Sequence, residues 1–257
     1  KGPPEVNAGT RIMEALRRLQ APWHKNEWPR LSANEEPPLR AELYSSDQME
    51  QHGKALAAAH RVAPGRAPDQ LLGRLAANES ALVEVCGLLT TAASESRLIS
   101  PAGEWLLDNF YLIEEQIGTA RRHLPKGYSR ELPRLAAGPS QGRPRVYDIA
   151  LETVAHGDGR VDAETLSRFV AAYQTVTPLK LGELWAIPIM LRLAVIENLR
   201  RVGVRVAAGW VERNLADSWA DKMANAAESD PKSLILVIAA MANSSPPPSA
   251  SPAMAAT

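Results

Sequence analysis

From residue 45 to residue 242 the apolar side chains recur at intervals of three and four, the spacing that aligns them along one face of an α-helix. Alternating runs of β-branched residues between turn signals, the mark of a half-buried strand, are missing. The pattern predicts an all-α bundle of about eight or nine helices without a substantial sheet.

Ser45 followed by Gln48 is a capping-box signature, opening a helix through Met49, Leu56 and Ala59. Leu71, Leu75, Leu82, Cys86 and Leu89 draw the stripe of a second helix, from about Pro68 to Glu95. Ser100 as N-cap with Pro101 behind it starts a third, through Trp105, Leu112, Ile113 and Ile117 to Lys126. The prolines and glycines between Tyr128 and Arg145 predict a surface crossing. A helix from Val146 to Ala155 ends at HGDGR, and Asp162 caps the next, through Leu166, Phe169, Val170 and Tyr173. Thr177 and Pro178 open the longest apolar helix, in which Pro188 predicts a kink. Val206–Glu228 and Pro231–Ala242 complete the series. The strings LAANESAL, LLDNFYLI and VIENLRRV are alike but follow no fixed period, which excludes a solenoid.

Three segments result. Residues 1–40 are a Pro-rich, loosely tethered lead-in with one short helix at Ile12, Leu16 and Leu19. Residues 41–243 are the helical domain. Residues 244–257, SSPPPSASPAMAAT, are a low-complexity tail expected to be disordered.

The 257 residues hold 29 Lys and Arg against 29 Asp and Glu, so no excess positive field is available to hold nucleic acid or an anionic membrane surface. Cys86 stands alone, which excludes an internal disulfide and a thiolate metal cluster. Beside Val85 and Leu88 it reads as a core residue whose thiol pKa is raised. The start, KGPPEVNAG, has no apolar signal region. The nearest approach to a membrane span is Leu184–Ile196, thirteen residues that include Arg192, against the ~18–20 uninterrupted apolar residues a span needs. The expectation is a chain without a span, cytoplasmic as given.

Some polar residues fall in helical phase with the apolar stripes: Asn78 and Glu79 on the second helix, Asn109 and Gln116 on the third, Arg192, Glu197 and Asn198 on the long one. A buried unpaired polar group costs ~1–3 kcal/mol, so these residues are expected to satisfy one another in an interhelical network. A ligand site is the alternative. Glu104, Trp105, Asp108, Glu183 and Trp185 are the candidates for sugar contact, because glycoside chemistry needs paired carboxylates ~5–10 Å apart and indole rings stack on sugars. Glu104 and Asp108 would equally complement the dipole of their helix.

HGDGRVDAETL fails as a calcium loop: with Gly159 at the sixth position, Val154 and Thr165 occupy the ends where carboxylates are required. His24, His52, His60, His123 and His156 show no ligand spacing, so no metal is expected. There is no GxGxxG, P-loop, Asp-x-Asp or Gln-x-x-Arg-Trp. No catalytic residue and no cofactor are assigned to the chain.

Five strings in order, ELYSSDQMEQHGKALAAAHRV, SPAGEWLLDNFYLIEEQI, LPKGYSRELPRLAAGP, RVYDIALETVAHGDGRVD and TPLKLGELWAIPIMLRLAVIENLRRV, resemble the N-terminal region of bacterial cyclic β-1,2-glucan synthases. The resemblance runs from Glu42 to Pro246. It implies a parent enzyme of the inner membrane that builds β-1,2-glucan from UDP-glucose through a transferase of glycosyltransferase family 84, and closes it into rings for the periplasm. By that resemblance the chain is an accessory helical region on the cytoplasmic face, its partners the downstream transferase and membrane modules and β-1,2-glucan a further candidate. The tail departs from the family's helical pattern, which points to a truncated fragment or a frameshifted gene end. No catalytic residue of the family maps onto these positions. The competing reading is a carbohydrate-active or glucan-binding helical domain that uses its tryptophans and carboxylates.

Overall fold

The computed structural model describes residues 36–39, 41–64, 69–124, 126–157, 159–229 and 234–242. The expected short helix at Ile12–Leu19 and the tail 244–257 lie outside them. In chain order the elements are α1 (Ser46–Ala59), β1 (Val62–Ala63), α2 (Leu71–Ser94), α3 (Pro101–Asp108), α4 (Phe110–His123), a 3-10 turn (Tyr128–Glu131), β2 (Arg134–Leu135), α5 (Arg145–His156), α6 (Ala163–Gln174), α7 (Leu181–Ser229) and α8 (Leu234–Ala242). The fold is all-α, and its sheet is one antiparallel pair of two-residue strands, Val62 opposite Leu135 and Ala63 opposite Arg134.

Three helices begin at the caps the sequence predicts. Ser45 Oγ accepts from Gln48 N at 3.3 Å while Gln48 Oε1 accepts from Ser45 N at 2.8 Å, a complete capping box. Ser100 Oγ accepts from Gly103 N at 3.2 Å ahead of Pro101, and Asp162 Oδ2 accepts from Thr165 N at 2.8 Å.

Elsewhere the boundaries differ. The predicted third helix is two, α3 and α4, divided at Asn109 (φ −107°, ψ 9°), whose Nδ2 donates to Trp105 O at 2.8 Å. A short amide side chain offers the backbone an alternative to the helical ladder, and here the alternative prevails. Conversely, the predicted helices from Thr177 and from Val206 are one, α7, of 49 residues, starting at Leu181 and running on past Pro188. At 1.5 Å per residue it is roughly 74 Å long. The stretch from Tyr128 to Arg145 does more than cross the surface, since Ser129, Leu132, Arg134, Leu135 and Ser140 are buried.

α5 is the central rod. Val146, Tyr147, Ile149, Ala150, Leu151, Thr153, Val154 and Ala155 are all buried, so apolar side chains cover nearly its whole circumference. It packs on α7, as do α2, α3 and α4, while α1 lies against α6. That last approach is close: a Cβ on Gly53 of α1 would stand 2.8 Å from Phe169 O of α6. Tyr147, Phe169 and Tyr173 are the largest fully buried side chains, and each contributes ~1.5–3 kcal/mol through apolar burial. Only the first part of α7 enters this core; beyond Trp210 most of its residues are exposed and Ala226 alone is buried among those described.

Candidate functional site

Glu197, fully buried on α7, is the centre of the largest polar cluster. From α2, Arg74 donates Nε to its Oε2 at 2.8 Å and Nη2 to its Oε1, and Asn78 donates Nδ2 to Oε2 at 3.0 Å. One turn further along α7, Arg201 reaches back with Nε and Nη2 at 3.0 and 2.9 Å from Oε1. Tyr147 of α5 adds its hydroxyl at 3.5 Å. Glu36 bridges Arg74 and Arg200, Pro37 O accepts from Arg201 Nη1, and Leu39 N donates to Asn198 Oδ1 at 2.8 Å, which seats residues 36–39 on α7.

The electrostatics follow from this geometry. Burial acts to raise the pKa of Glu197, but the hydrogen bonds of Arg74, Asn78 and Arg201 outweigh it and hold the carboxyl down at about 2. Burial likewise acts to raise the Glu36 pKa, but the Arg74 hydrogen bond and the Arg74 and Arg200 charges outweigh it, and the pKa is lowered. Burial raises the Tyr147 phenol, and the Glu197 charge raises it further. Glu197 is therefore an ionised acceptor whose oxygens are filled by donors, and it has no proton to give and no lone pair facing an open cleft.

A second polar chain crosses the start of α7. Arg145 grips Glu183 through two hydrogen bonds, and Lys180 N donates to Glu183 Oε2 at 2.9 Å. Next to Arg145 lies the buried Tyr173, whose hydroxyl is 2.8 Å from His60 Nδ1, and His60 Nε2 is 3.1 Å from Asp148 Oδ2. The order carboxylate, imidazole, hydroxyl has the form of a nucleophilic triad. However, Tyr173 is fully buried and burial raises its pKa, so the hydroxyl meets no substrate; the chain joins α1, α5 and α6. A shallow groove of about 350 Å³ lies beside it, lined by Val62, Glu131, Pro133, Arg145 and Lys180.

Of the residues singled out by helical phase, the structure brings Asn78, Glu197 and Asn198 together. Glu79 is at the surface, paired with Arg121 of α4. Asn109 forms the joint between α3 and α4, and Gln116 is exposed. Arg192 is half-buried and makes no hydrogen bond or ion pair among the described residues. The sugar-contact candidates are split. Glu104, Trp105 and Asp108 are exposed on α3, whose Leu106 meets Gly203 of α7. Glu183 is buried against Arg145 and Trp185 is 74% exposed, both at the other end of that core segment. Gly203 lies nineteen positions after Leu184, roughly 28 Å along the helix, so these two groups do not face one cleft.

Sequence reasoning missed Arg74, Arg200 and Arg201, because charged residues on helices read as solvated faces, and it missed Tyr147, His60 and Glu36 as well. It also missed the grouping of His52, Glu152 and His156, whose ligand atoms lie within 4.8 Å of one another. The signal available was Glu152 and His156 at i, i+4; the third member is a hundred residues away. Cys86 is buried, and burial with the nearby Glu114 charge pushes its thiol up to about 12.

No family model matches the chain. It is, however, related to a region of a cyclic glucan synthase, as the long sequence strings imply. The relative is the cyclic β-(1,2)-glucan synthase NdvB of Rhizobium meliloti (strain 1021), 35% identical over 186 residues, or 72% of this chain. The match covers 6% of that relative's length. No helix among the described residues is long and apolar enough to cross a membrane.

Proposed function

We propose that this chain is an accessory helical region of a cyclic β-1,2-glucan synthase, contributing architecture and not chemistry to glucan synthesis. The observation that carries this reading is the state of its buried carboxylates: Glu183 and Glu197 are both engaged by arginines through paired hydrogen bonds. A glycoside-processing pair needs two carboxyl groups of different proton affinity facing one sugar. Glu104 and Asp108, the exposed candidates, stand on a different part of the bundle from Trp185.

In this proposal the region sits on the cytoplasmic face of the inner membrane and docks to the transferase and membrane modules of the synthase. UDP-glucose is then the substrate of the transferase and not of this bundle. Incubating the purified chain with UDP-glucose and β-1,2-glucan tests the reading. The expected result is no glucosyl transfer and no glucan cleavage; turnover that Glu104→Gln and Asp108→Asn abolish would overturn it. Quenching of tryptophan fluorescence by glucan without turnover would shift the assignment to a glucan-binding module.

A further inference from the structure

We propose that His52, Glu152 and His156 form a binding site for one divalent transition-metal ion, with zinc the ion that fits it best. His52 comes from α1, and Glu152 and His156 from successive turns of α5. His52 Nε2 lies 2.8 Å and His156 Nε2 3.3 Å from the same oxygen, Glu152 Oε2. Zinc held at ~2.0–2.2 Å by tetrahedral ligands sets neighbouring donor atoms roughly 3.3–3.5 Å apart, so the triplet needs small adjustments to surround it.

The hydrogen-bond pattern has room for a cation at this point, a metal ion or a second proton on His156. His156 Nδ1 is 2.7 Å from Glu42 O. A carbonyl only accepts, so Nδ1 carries the hydrogen, and whenever the ring has no second proton Nε2 is a lone pair. That lone pair faces the lone pairs of Glu152 Oε2. His52 can donate one hydrogen to the carboxylate but nothing to His156 through the same bond. A metal ion bound by all three resolves the confrontation. The Nδ1–H to carbonyl bond is also the outer contact that fixes the tautomer and orientation of metal-binding imidazoles.

Both rings are held before any ion arrives. Tyr44 stacks on His156 with centroids 3.9 Å apart and planes at 11°, and Phe169 lies parallel to His52 at 6.0 Å and 4°. Two imidazoles with one carboxylate disfavour magnesium and calcium, which take oxygen ligands, and match the three-protein-ligand zinc sites that leave a position for water. The side chains of His52 and Glu152 keep 22% and 31% exposure, so an ion and a water can reach the site.

The test uses the full chain, stripped with chelator and titrated with Co2+ while visible d–d absorption is read, followed by displacement with Zn2+. One Co2+ per chain and full displacement by Zn2+ are expected. His52→Ala and His156→Ala should each weaken binding by at least ~100-fold, and His123→Ala, at an exposed position on α4, should leave it unchanged. Glu152→Gln, which keeps the side-chain shape, replaces either alanine variant that loses its helical circular dichroism. Failure of the unaltered chain to show saturable d–d bands, or bands that persist in folded His52→Ala/His156→Ala protein, would overturn the proposal.

Discussion

Arg145 at the head of α5 and Glu183 in the first turn of α7 are joined as a buried bidentate pair, Nε 2.6 Å from Oε1 and Nη2 2.7 Å from Oε2. Arg145 also donates Nη2 to Pro178 O at 2.9 Å, so the two helix starts are tied at three points. The pair leaves no charge uncompensated in the interior. Sequence singled out Glu183 alone, as a sugar-contact candidate beside Trp185, and the fold spends it on Arg145.

Breaking this pair from one side should cost far more than removing it whole. Glu183→Ala strands a buried guanidinium and is expected to lower stability by ~3–5 kcal/mol, whereas Arg145→Met with Glu183→Leu removes both charges and should recover most of the loss. Urea denaturation followed by circular dichroism measures both. A double variant as unstable as the sum of its singles would contradict this account.

Acid should loosen the Glu197 cluster late. Its carboxyl is held at about 2 in the folded protein against an ordinary 4.5. A group whose folded pKa is depressed contributes stability that is complete above the unfolded value and is lost as pH falls through the folded one. The contribution, on the order of 3 kcal/mol, should therefore decline between pH ~4.5 and ~2. Glu197→Gln should flatten the slope of stability against pH in that window while lowering stability at neutral pH.

Gly53 should tolerate no side chain. A Cβ there would lie 2.8 Å from Phe169 O and 2.9 Å from Phe169 Cδ2, and helix α6 cannot retreat without opening the core. Gly53→Ala is expected to destabilise by ~1–3 kcal/mol. Gly73→Ala is the contrast, since a Cβ there meets nothing within 4 Å; it should stabilise α2 by up to ~1 kcal/mol through helix propensity. Thermal melting of the two variants should move in opposite directions.

Cys86 should resist alkylation. Its thiol is buried and pushed up to about 12, so at neutral pH almost no thiolate is present and little of it is accessible. Iodoacetamide labelling should be negligible in the native protein and rapid in urea, and appreciable native labelling would contradict the placement.

Helix type was readable because an apolar period of 3.6 is a property of neighbouring residues, and the caps at Ser45, Ser100 and Asp162 are decided within four positions. Boundaries were less readable where two local signals compete. At Asn109 the side chain bonds its own backbone and divides a helix whose apolar period continues through it. At Gly203 the pattern weakens, yet α7 runs on, because Leu82, Val85 and Leu106 pack around the bare backbone.

Asn78, Glu197 and Asn198 could be singled out because polar residues on an apolar stripe must find partners. The identity of those partners was not in the spacing: Arg74 lies 123 positions from Glu197, and His52 lies 100 from Glu152. By itself the sequence determined the all-α class, the three helix starts capped by Ser45, Ser100 and Asp162, and the relationship to a region of a cyclic glucan synthase. The tertiary structure alone decided which charges meet, that Glu183 answers Arg145 and does not share a cleft with Trp105, and that two histidines converge on Glu152. The physical reason is range: helix periodicity and capping are set by bonds within one turn, whereas the pairing of buried charges depends on how separate helices pack.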